Sequence, residues 1–127
     1  MHQPYSEIFN HKPDFRVKYK FYQNKSRLRE TPPFQGIRSD FQYADDENKT
    51  TYMIWPEFED TNEKVITYND NPVPITGTAR MWIINPERRP IHIDKIKIGT
   101  KCHFIEGGIT ADCEVIEIVG LPSNPTK

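Results

Sequence analysis

The strongest constraint on what this chain can fold into is a period of two. In FRVKYKFY, Phe15–Tyr22, the side chains of Val17, Tyr19 and Phe21 fall on one side of an extended chain and those of Arg16, Lys18 and Lys20 on the other. Successive strand residues point to opposite faces, so such a stretch is a half-buried strand. The same alternation puts Ile37, Phe41 and Tyr43 on one face, and it returns in Thr51–Trp55, Lys64–Tyr68 and Thr76–Ile84. Eleven prolines and six glycines punctuate the runs and leave little uninterrupted length for helix. The expected fold is therefore an all-β closed barrel of about six strands. With 127 residues the chain suits one domain. The expected division is an N-terminal extension over 1–14, a barrel over 15–121 and a flexible tail over 122–127.

Near the C-terminus, KCHFIEGGITADCEV raises a choice between a phosphate-cradling loop and a hairpin. A phosphate loop needs a helix after its glycines, because the helix N-terminus supplies the amides. Here Ile109, Ala111, Cys113 and Val115 alternate with Thr110, Asp112 and Glu114, so a strand follows. Gly107-Gly108 then reads as a two-residue hairpin turn. That register sets Cys102 opposite Cys113, Phe104 opposite Ala111 and His103 opposite Asp112.

The chemistry-bearing residues are few. The two cysteines lie on the core face, where buried thiols are the favoured reading. Met1–Asn10 is polar and lacks the apolar core of a secretory signal, which points to a reducing cytoplasm. Cys102 and His103 are strand neighbours facing opposite ways and cannot act as nucleophile and base. His103 with Asp112 is expected as a surface charge pair. His92 and Asp94, with His2 and His11, match no metal-binding spacing. No catalytic residue, metal or cofactor is expected, and the chain is read as a non-enzyme.

Lys and Arg number 17 against 18 Asp and Glu, a net charge of −1 that gives no global attraction to RNA or to an anionic membrane; no membrane partner is expected, and any contact with RNA must come from a local patch. Arg16, Lys18 and Lys20 on the outer face of the first strand are one such patch. Lys25, Arg27 and Arg29 form a second basic run.

Three segments carry a family resemblance: TPPFQGIRSDFQYADD, then RMWIINP, then GTKCHFIEGGITADCEVIEIVG. Together, over about Val17–Gly120, they resemble the third, C-terminal domain of bacterial elongation factor Tu. Thr31, Pro32, Phe34, Gly36, Arg38 and Phe41 fit its first block, and Gly99, Glu106, Gly107, Gly108 and Thr110 its second. The resemblance implies a closed six-stranded antiparallel barrel that is not catalytic and that docks on protein partners and on the backbone of aminoacyl-tRNA. No P-loop sequence occurs, so nucleotide binding is not expected. By the resemblance, Arg29, Gly107 and Gly108 match family positions that touch tRNA, whereas Asp40 and Ile109 depart from them. The expectation is a stand-alone binding module for a translation component or RNA, with any RNA affinity weak and salt-dependent. The alternative is a barrel that binds protein alone, as a mimic or inhibitor of a translation-factor partner. The candidate contact residues are Arg16, Lys18, Lys20, Arg29, Arg38, Gly107 and Gly108.

Overall fold

The structure is a computed structural model that describes residues 1–23 and 31–127. Among the described residues, six strands form one antiparallel sheet: β1 (Phe15–Phe21), β2 (Asp40–Tyr43), β3 (Ile54–Phe58), β4 (Thr76–Ile83), β5 (Lys101–Ile105) and β6 (Ile109–Ile118). Their spatial order is β2-β5-β6-β1-β4-β3. Strand β1 sits at the centre, with Val17 between Ala79 of β4 and Val115 of β6. Val17, Tyr19, Phe21, Phe41, Tyr43, Phe104, Ala111, Cys113 and Val115 are all buried, so the face assignments read from alternation hold. Tyr19, Phe21, Phe58 and Phe104 meet edge-on or tilted at the heart of this core.

The sheet does not close, and the chain is not all-β. Its edges β2 and β3 come within 5 Å of each other, yet among the described residues the seam is joined by a single bridge, where Phe41 of β2 and Tyr52, two residues before β3, exchange both backbone hydrogen bonds (2.9 and 2.8 Å). The result is an open half-barrel in a mixed α/β fold. The cause lies in what occupies the edge of β3. Pro56 has no N–H to offer. Phe58 is already served by a side chain: the Gln35 amide accepts from its N–H and donates to its C=O, both at 2.9 Å, and donates again to Ile66 C=O. Ile66 N–H also donates to Phe58 C=O. With β2 only four residues long, little backbone remains for a closing ladder. The expected strand over Lys64–Tyr68 is likewise reduced to one bridge, Val65 to Glu59.

Among the described residues, two short helices and a 3-10 turn accompany the sheet. Helix α1 (Tyr5–Phe9) ends at Asn10, whose left-handed φ of 58° lets its N–H reach Ser6 C=O. Tyr5, Phe9 and His11 pack around Trp82 on the outer side of β4. Beneath them Glu57, which is 1% exposed, accepts from Tyr5 N–H (2.8 Å) and Trp82 Nε1–H (3.1 Å) and lies 2.6 Å from His2 Nε2. The N-terminal segment, expected as an extension, is clasped to the sheet. The 3-10 turn Pro86–Arg88 is capped by the Asn85 side chain, and it runs into α2 (Arg89–Lys95).

Arg89 anchors that helix. Its guanidinium donates to Asp14 through Nε at 2.7 Å, and Asp14 also accepts from Ile83 N–H and Asn124 Nδ2, both at 2.9 Å. Both partners are buried. Gly120 belongs to the same cluster, since a Cβ there would lie 2.6 Å from Asn124 Nδ2.

The β5–β6 hairpin has the expected register for Cys102–Cys113, His103–Asp112 and Phe104–Ala111. It then shifts, so that Ile105 faces Ile109 and the loop is Glu106–Gly108 instead of two residues. Only Gly107, at φ 70°, needs the left-handed region.

Candidate functional site

The basic strip of β1 is interleaved with acid from β6. Register sets Arg16 opposite Glu117, Lys18 opposite Glu114 and Lys20 opposite Asp112. Arg16 donates to Glu59 (2.7 Å), Glu63 (3.0 Å) and Glu117 (2.8 Å), and the Glu59 bonds come first among the causes that raise its pKa. Lys18 Nζ lies 3.9 Å from Glu114, which also pairs with Lys101. Glu59 is buried. Burial alone would raise its pKa, but the donations of Arg16, Thr78 and Arg80 outweigh that and hold it below its ordinary value. Arg38 stacks its guanidinium 4.9 Å from the Trp55 ring centre. Gly107 and Gly108 form the hairpin tip, and Arg29 lies outside the described residues. His103 Nδ1 is 3.1 Å from Asp112 Oδ1 but lacks hydrogen-bond geometry. A surface of alternating sign gives a polyanion no continuous track.

The site that the sequence did not reveal is at the seam between β2 and β3. Helix α2 buries Arg89 and His92, and Ile96 at its C-cap is buried as well. His92, 1% exposed, enters between Tyr43 of β2 and Tyr52 of the bridge. Its Nδ1 is 2.6 Å from Tyr43 Oη, and its ring meets Tyr52 at 4.7 Å and 87°. Burial, then Lys95, pushes the imidazole down to about 4, so it is neutral near pH 7. Burial, then Tyr52, holds the Tyr43 phenol well above its ordinary value. The tautomer follows from hydrogen-bond accounting. If Nδ1–H donated to Tyr43, the phenolic proton would need another acceptor; with Tyr43 donating to Nδ1, only Nε2–H is left over. Nε2 is buried and has no partner among the described residues.

His92 forms one wall of a cavity of about 380 Å³ in which Tyr43 takes no part. The two nitrogens of an imidazole point to nearly opposite sides of the ring, so Nε2 faces away from Tyr43. Thr50, Thr51, Asn85 and Arg88 bring polar groups to this cavity, and Tyr52, Met53, Ile83 and Ile91 line the rest. A wider depression of about 630 Å³ lies beside Asp45–Glu47, Lys95 and Lys101. Those charged groups are solvated, apart from the half-buried Asp46, which is engaged by the amides of Asn48 and Thr50. Among the described residues, no group of three or more His, Cys, Asp or Glu is placed to hold a metal ion. No helix there is long and apolar enough to cross a membrane.

No family model matches the chain, and no curated protein is similar to it. The likeness to the third domain of elongation factor Tu therefore does not stand: that domain is a closed all-β barrel, and this sheet is open and accompanied by helices. The translation-factor role fails with it, both as a module for RNA or a translation component and as a partner mimic, because both rested on that barrel.

Proposed function

We propose that the protein is a non-catalytic binding domain that takes up a small molecule in the seam cavity beside His92. One observation carries this reading: a buried imidazole nitrogen, His92 Nε2, without a partner among the described residues, on a residue that lines a cavity. Leaving such a donor unpaired costs about 1–3 kcal/mol, and a ligand acceptor recovers that cost on binding. The cavity is at the low end of the roughly 300–1,000 Å³ range of ligand sites, so a metabolite-sized occupant fits it.

The absence of catalysis is supported by where the buried ionisable groups are spent. Asp14 and Glu59 hold arginines, and Glu57 clasps the N-terminal segment. Burial, then the neighbouring Cys102, pushes the Cys113 thiol well above its ordinary value, away from nucleophile chemistry. A reducing, cytoplasmic location is part of the same proposal. Cys102 and Cys113 are free thiols in register with their sulfurs 2.8 Å apart, a pair that an oxidising compartment would bridge.

Amide chemical-shift mapping against a library of small organic acids, amides, alcohols and amines tests the reading. Shifts confined to Tyr52, Met53, Ile91 and His92, with the bound compound recovered unchanged, are the expected result. Shifts centred elsewhere would remove the site, and conversion of the compound would remove the non-catalytic assignment.

A further inference from the structure

We infer that the ligand of the seam cavity is a small monocarboxylate with an apolar body, its carboxylate paired with Arg88 and an acceptor oxygen taking the His92 Nε2–H. This rests on the reading of the cavity as a small-molecule site. Charge selects the class. Among the residues lining the cavity Arg88 is a cation and none is a carboxylate, while His92 is neutral. Arg88 is exposed and makes no ion pair among the described residues, unlike Arg16, Arg80 and Arg89, each of which is held by an acid. A guanidinium fork matches a carboxylate in geometry. One cation with a neutral N–H suits a monoanion better than a phosphate dianion.

The apolar body follows from the walls. Met53 is 51% and Ile91 39% exposed, and both face this cavity together with Ile83. Large apolar side chains held at the surface contribute little to the fold, whereas across a ligand they bury area on both partners. Arg88 supplies a positive charge and His92 a donor for one carboxylate, and Met53, Ile83 and Ile91 give hydrocarbon walls to its body. That set of groups reads an amphipathic acid.

The test titrates hexanoate and phenylacetate, and separately hexanamide and phenylacetamide, into the full chain at pH 7. The readouts are the Ile91 amide and the His92 Nε2–H proton. A charge-assisted hydrogen bond separates acid from amide by at least about tenfold in affinity, and the Nε2–H resonance moves as the acceptor arrives. Arg88→Gln, at an exposed position that leaves the core intact, is expected to abolish the tenfold preference while amide affinity stays constant. Amides binding as tightly as acids, or a preference that survives Arg88→Gln, would overturn the carboxylate assignment and leave the cavity reading standing. If neither class moves these resonances, both fall.

Discussion

Replacing Asp14 by Ala perturbs the cluster that ties α2 to the sheet. The carboxylate is fully buried and receives Arg89 Nε, Ile83 N–H and Asn124 Nδ2. Its removal strands a guanidinium that is 1% exposed. Breaking a buried pair from one side costs about 3–5 kcal/mol, because the surviving charge stays desolvated and uncompensated. With an unfolding entropy near 2.1 cal/mol/K per residue, 127 residues give about 0.27 kcal/mol/K. The melting temperature should therefore drop by about 11–19 °C, measured by calorimetry at pH 7. The double variant Asp14→Leu with Arg89→Met removes both charges and should melt above either single variant. A drop of less than about 4 °C for Asp14→Ala, or a double variant whose loss equals the sum of the singles, would refute the assignment of Asp14 and Arg89 as one energetic unit.

Three further outcomes are expected. The His92 pKa is lowered on folding, from its ordinary 6.5 to about 4, so its contribution is complete above pH 6.5 and is lost as the pH falls toward 4; urea midpoints across that window should decline, and His92→Phe should flatten the slope. Gly120→Ala forces Asn124 off Asp14 and should cost about 1–3 kcal/mol, read as a lower urea midpoint at unchanged m-value. Gln35→Ala leaves the Phe58 N–H without its acceptor and should speed hydrogen exchange at that amide by tenfold or more, with a stability loss of about 1–3 kcal/mol.

Strand phase was legible in the sequence because side-chain alternation is a local property: β1 and the β5–β6 pairing follow from which residues are apolar at every second position. Closure was not. Whether β2 meets β3 depends on a side chain, Gln35, standing in for backbone at Phe58, and on the missing N–H of Pro56. No composition or period encodes that. Helix α2 was hidden by its isoleucines. Ile91 and Ile93 mimic the strand period yet lie outside the core, Ile91 on the seam cavity, while the buried positions Arg89, His92 and Ile96 keep helical spacing with two polar residue types. The candidate site shares this blindness, for His92 becomes distinctive only once Tyr43 and Tyr52, remote in sequence, close around it. The basic residues of β1 were found correctly as a row on one face. Their neutralisation by β6 requires the cross-strand register, which long-range pairing alone supplies.

The central place of β1 has a consequence for the order of folding. The first strand in the chain lies between the fourth and the sixth, so Val17 finds its neighbours only at Ala79 and Val115. Neither flank can be completed by local contacts, and one of them waits for Ile109–Ile118 to be synthesised. During translation Val17, Tyr19 and Phe21 are an unsatisfied apolar ridge on a nascent chain with no hairpin partner of its own. Closing loops of such length before any ladder rewards them makes refolding slow for a chain of this size, and it makes the incomplete polypeptide, more than the finished domain, the species most in need of a chaperone.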